Sequence, residues 1–128
     1  MASFACIAYV LERAADIMLG DLTLDADSAL TRAIWGCQPA ACDDCGQKER
    51  YGVAARAVEL HYSDVTYSEP ASMGLADIPR GSARSAAREV ARLFRQVGDR
   101  EHLEGEDLEE LALRMWGLAR GVELARCP

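Results

Sequence analysis

Apolar residues recur along most of this chain at the three-and-four spacing of a helical face, and nothing else in the sequence limits the fold as strongly. Phe4, Ile7, Ala8, Leu11, Ala14, Ala15 and Met18 keep that spacing through the first segment. Ser3 stands where a cap opens such a helix, and Gly20 where one closes it. A shorter helix is predicted next, with Asp25 and Asp27 at its positive end, Leu30, Ala33 and Ile34 facing inward, and Gly36 ending it. A third is predicted from Gln47 to Tyr62, burying Tyr51, Ala54, Ala55, Val58 and Tyr62. A fourth starts on Ser82 as cap, buries Ala83, Ala86, Ala87, Val90, Leu93, Phe94 and Val97, and stops at Gly98. The last runs from Glu106 to Ala125 with Leu108, Leu111, Ala112, Met115, Leu118 and Val122 inward, and residues 99–104 add a helical turn before it.

Two segments stand outside this pattern. Residues 37–46 hold proline, glycine and three cysteines and read as a loop. Residues 63–81, with two prolines and two glycines, form one long connection, a length that often marks function or conceals a short element. Composition agrees with helices: 22 alanines stand against 8 aromatic residues. The 128 residues fit one domain, whose core can bury roughly two-thirds of the unfolded chain's surface without help from a metal or disulfide. The expected architecture is therefore all-α, a compact bundle of about five helices in a single domain spanning residues 1–128.

Fourteen basic side chains against 21 acidic ones leave a net charge of −7, which argues against direct nucleic-acid binding by overall charge. Five cysteines cannot all pair within one chain, and charges at Glu12, Arg13 and Asp16 interrupt the first apolar stretch. We therefore expect a cytoplasmic protein with reduced thiols and no membrane span. Thirteen arginines accompany a single lysine, Lys48; with the alanine content, that bias suggests a GC-rich bacterial or phage genome.

The densest local signal is Cys37, Cys42 and Cys45, a C-x4-C-x2-C cluster with His61 sixteen residues further on. Three thiolates and an imidazole suit one tetrahedral zinc ion, with Cys127 as an alternative fourth ligand. The pattern has only one C-x-x-C pair where zinc modules usually have two, so a plain loop, with His61 simply the polar end of a helix, is the more ordinary account. A thiol-redox role would use the helix N-terminus after Cys45, but no strand–helix alternation surrounds it. Arg84, Arg88, Arg92 and Arg95 line one face of the fourth helix, a surface for phosphates or an acidic partner. The plain alternative is that carboxylates of the following run, Glu101, Glu104, Glu106, Asp107, Glu109 and Glu110, screen them across neighbouring helices. Those carboxylates also suit a helix N-terminus, and their first-turn position rules out a helix-turn-helix reader. Gly117 and Gly121 are expected at a close helix contact within the bundle, and Trp35 and Trp116 in the core.

Catalytic groups are scarce. His61 and His102 are the whole imidazole supply, and no H-E-x-x-H, G-x-S-x-G or phosphate-binding glycine loop occurs. The leading expectation is a non-catalytic, acidic protein-binding module that inhibits a larger complex, one that itself binds nucleic acid. Its interface is Glu104, Glu106, Asp107, Glu109 and Glu110, with the arginine stripe as the rival surface. In size and composition alone the chain resembles phage-encoded inhibitors of bacterial defence, among them anti-CRISPR proteins. A zinc-stabilised binding module using the 37–45 loop is the alternative, and an enzyme or redox protein ranks below both.

Overall fold

The computed structural model describes residues 2–36, 47–66, 74–98, 102–103 and 107–126. Five helices carry the fold: α1 (Phe4–Gly20), α2 (Ala26–Trp35), α3 (Gln47–Thr66), α4 (Arg80–Val97) and α5 (Leu108–Arg126). Local chemistry fixes several ends. Ser3 caps α1, its Oγ accepting from the Cys6 N–H at 3.4 Å, and Asp25 caps α2, accepting from the Ser28 N–H at 2.8 Å. Gly36 closes α2, and Gly98 closes α4 with a φ of 71°, a left-handed conformation that a Cβ disfavours.

The core follows the predicted faces of α1 and α4 closely; α4 has one clean apolar stripe, whereas α1, apolar at every position from Phe4 to Leu11, also buries Cys6 and Val10. All seven residues expected to face inward from each are buried. These two helices pack most extensively against each other, and Phe4 meets Phe94 edge to face, with ring centroids 5.1 Å apart. α2 closes over α1, while α5 lies along α3 and α4. The result is an all-α bundle of five helices. Two-residue strands β1 (Ala2–Ser3) and β2 (His102–Leu103) pair antiparallel, Ala2 opposite Leu103. The extra helical turn expected across 99–104 is therefore replaced, at 102–103, by this pairing.

Several boundaries and faces differ from expectation. α3 continues four residues past Tyr62, and a 3-10 turn occupies Leu75–Asp77, so helical structure takes up both ends of the long connection. α4 begins at Arg80, with Pro79 rather than Ser82 as its cap. Proline supplies a fixed φ suited to a helix start, but no side-chain acceptor. α5 begins at Leu108, two residues later than expected, and buries Leu111, Ala112, Met115 and Ala119. Leu118 is 38 % exposed and Leu113 is 52 % exposed. Apolar residues surround this helix, so their spacing does not single out one face. Trp35 is 47 % exposed rather than in the core.

The close helix contact also lies elsewhere. A Cβ added at Gly117 or Gly121 would meet no atom within 4 Å, whereas one at Gly52 would lie 2.7 Å from Leu108 Cδ1. Gly52 is thus the residue that lets α5 begin tight against α3. No helix of the described residues is long and apolar enough to cross a membrane.

Candidate protein-binding surfaces

The arginine stripe lies along the edge where α4 meets α1. Arg95 donates through both its Nε and Nη2 to Glu12, at 2.5 and 2.7 Å, and Arg88 approaches Asp16 at 3.3 Å. Arg92 turns back onto Glu89 of its own helix, with Nε 3.1 and 3.2 Å from the two carboxylate oxygens. The Arg95 guanidinium lowers the Glu12 pKa, and Glu12 in turn raises that of Arg95. Arg92 likewise lowers Glu89. These pairs border an open groove of about 600 Å³, which Gln96 also lines. The carboxylates expected to screen the stripe were those of residues 101–110; the described partners come instead from α1 and from α4 itself. The helix pair that touches most closely supplied them, a choice invisible to sequence spacing.

Arg80, at the head of the same helix, does something different. Its Nε donates to the Leu24 carbonyl at 2.6 Å, and its Nη2 donates to the carbonyls of Asp21, at 2.8 Å, and Met18. A guanidinium thereby satisfies carbonyl groups at the C-terminus of α1 and ties the α1–α2 turn to the start of α4.

The acidic run presents the opposite arrangement. Asp107 caps α5, its Oδ1 accepting from the N–H groups of Glu109 at 3.0 Å and Glu110 at 3.4 Å. Asp107, Glu109 and Glu110 are exposed, and no ion pair engages them among the described residues. Glu104 and Glu106 lie outside the described residues. Beside Glu109 an open cleft of about 390 Å³ is lined by Asp27, Tyr51, Arg56, Glu59 and Leu108. Burial is the main cause that raises the Glu59 pKa, against the lowering effect of an Arg56 hydrogen bond at 3.1 Å; Glu109 adds to the rise. Tyr51 donates to Asp27, and its phenol is pushed up to about 12, first by burial and then by that bond. Trp35 leans on Tyr51 with ring centroids 6.0 Å apart. Tertiary structure thus gathers carboxylates from α2, α3 and α5 around two aromatic rings. Sequence reasoning saw only the α5 share, because Glu59 and Asp27 stand 50 and 82 positions before Glu109.

Of the candidate zinc ligands, Cys37, Cys42, Cys45 and Cys127 lie outside the described residues. His61 is buried, 8 % exposed, and its Nδ1 has no hydrogen-bond partner. Among the described residues no group of three or more histidine, cysteine and carboxylate side chains is placed to hold a metal ion. Cys6 is disulfide-bonded, which corrects the expectation of reduced thiols at that position; its partner is outside the described residues. A partner among Cys37, Cys42 and Cys45 would remove one thiolate from the proposed zinc set.

No protein-family model, curated protein or solved structure matches the chain.

Proposed function

We propose that this protein is a non-catalytic inhibitor that acts by binding, and that its acidic face docks on a basic, nucleic-acid-binding surface of a larger partner. The observation that carries this reading is the contrast in charge pairing. Asp107, Glu109 and Glu110 stand exposed without ion pairs among the described residues, whereas Arg88, Arg92 and Arg95 meet carboxylates of their own chain. An unpaired surplus projects its field outward and steers association; a paired row largely cancels. Asp27 adds negative charge beside the same cleft, and exposed Trp35 adds an aromatic group of the kind enriched at interface centres. The net charge of −7 works in the same direction.

The test compares two variants of the tagged full chain in capture from bacterial lysate. Glu109→Lys with Glu110→Lys should lose the captured partner, while Arg88→Glu with Arg92→Glu should retain it, each fold being checked by far-ultraviolet circular dichroism. The partner should release its nucleic acid when the wild-type chain is added, less so at high salt, since screening acts over about 8–10 Å. Retention by the first variant, or loss by the second alone, would reject the acidic face as the interface.

A further inference from the structure

Glu110, Leu113, Arg114, Gly117, Leu118 and Gly121 follow at three- and four-residue spacing and share one face of α5. All six are exposed, because α5 packs on α3 and α4 with its opposite side, through Leu111, Ala112, Met115 and Ala119. Leu113 and Leu118 therefore leave apolar surface in water. Gly117 and Gly121 have open space over them, so the close helix contact that their spacing suits is not made inside the bundle.

The charges on this face decide what can cover it. Glu110 and Arg114 stand one turn apart, at a spacing that allows a pair within the helix, yet neither has an ion pair among the described residues. A partner of one sign would satisfy one of them and oppose the other. A second copy running antiparallel satisfies both. A two-fold axis at the level of residue 112, midway between the charges, sets each Glu110 opposite the copy's Arg114. Leu113 lies one residue from that axis, so the two Leu113 side chains meet about 3 Å apart along the helices. Gly117 then faces the copy's Asp107, and without a Cβ it leaves room for the first turn of that helix.

We propose that the exposed face of α5 is a self-association surface, on which two copies of this chain pack antiparallel about a two-fold axis. A few residues from one helix of each copy fall short of the roughly 20–30 that each side of a standard interface contributes. The dimer is therefore weak and concentration-dependent, and the dilute chain is monomeric. The copy covers Glu110, so self-association and docking of the acidic face on another protein exclude each other at this helix. Self-association is read on the purified chain alone, so either role can fail without the other.

Sedimentation equilibrium of the full chain over about a hundredfold range of concentration tests this, and the average mass should climb toward that of two chains. Glu110→Arg and Arg114→Glu each set like charges opposite and should raise the dissociation constant at least about tenfold. The two substitutions together restore opposite signs and should return it to within about threefold of the wild type. Leu113→Glu should abolish the climb in mass, whereas Leu19→Glu, at an exposed leucine of α1, should not change it. Gly117→Met, where an added side chain meets nothing of its own chain, should weaken association without lowering the unfolding midpoint of the dilute chain. Circular dichroism checks that each variant folds. A mass that stays at one chain throughout, a double swap that fails to recover, or equal losses from Leu19→Glu and Leu113→Glu would each overturn the proposal.

Discussion

Along the α1–α4 edge, Arg88, Arg92 and Arg95 each meet a carboxylate, whereas at the starts of α2 and α5 the carboxylates gather around Tyr51 with Arg56 among them. The two regions use the same residue types to different ends. Pairing across α1 and α4 spends charge on neighbouring helices and leaves little field outside. Around Tyr51, burial raises the Glu59 pKa and Arg56 pairs with it, so the field that reaches solvent comes from exposed Glu109 and its neighbours Asp107 and Glu110. An arginine stripe read as a helical wheel looks like a binding surface; its neighbours decide whether any charge remains to bind with.

The largest expected effect tests the floor under the paired edge. Leu11, 1 % exposed, lies in the core just inside Glu12, and Leu11→Asp should cost several kcal/mol by burying an unpaired carboxylate. Urea unfolding reads this directly, and an unchanged midpoint would mean that α1 turns another face inward. Leu113→Asp, on the exposed side of α5, should leave the midpoint nearly unmoved.

Arg80 and Arg95 then separate two uses of arginine on one helix. Arg80→Ala strands carbonyls of α1 and the α1–α2 turn and should lower stability by about 2–3 kcal/mol. Arg95→Ala removes an exposed ion pair and should cost less than about 1 kcal/mol. Equal losses in chemical denaturation would show that the surface pair contributes more than exposure allows.

Gly52→Ala acts on the other region. The added methyl would press on Leu108 and push the start of α5 from α3, at a cost of about 1–3 kcal/mol. Because Glu109 moves with Leu108, partner capture should weaken more than it does for a core variant of equal stability. Matching losses would remove the link between this contact and the acidic face.

The smallest effects are those of pH, and they carry opposite signs. Glu12 has a lowered folded pKa, so its contribution is present at neutral pH and is lost as pH falls below the ordinary glutamate value, about 4.3, and through the lowered folded one. Arg95→Gln should flatten that loss. Glu59 has a raised folded pKa, so the fold binds its proton more tightly, and stability from this group grows as pH falls through that raised value towards the ordinary one. Glu59→Gln should abolish that gain. Melting temperatures from about pH 3 to pH 7 for both variants check the pair, since the Glu59 window lies above the ordinary glutamate value and the Glu12 window below it; slopes of the same sign would contradict the assignment of the two environments.

How much of this was legible depends on distance along the chain. The inward face of α4 follows from spacing alone, because a single apolar stripe leaves a helix one way to bury itself; in α1 the spacing finds seven of the nine buried residues and misses Cys6 and Val10. Ser3, Asp25, Gly36 and Gly98 mark helix ends through bonds or backbone angles confined to a few neighbouring residues. α5 defeats the same reasoning. Leu113 and Leu118 are as apolar as Leu111 and Met115, so only contact with α3 and α4 selects Ala119 over Leu118 for the interior.

The site residues divide in the same way. Sequence alone determined an acidic, alanine-rich helical bundle, and it placed Asp107, Glu109 and Glu110 at a helix start that welcomes them. Tertiary structure decided that Glu12 and Asp16 meet the arginines, that Arg80 ties the end of α1 to the start of α4, and that Asp27 and Glu59 join Glu109 beside Tyr51. Helix formation is governed by residues three and four apart, whereas a charge answers to whatever packing brings within a few ångströms, and the crossing of helices sets that neighbour.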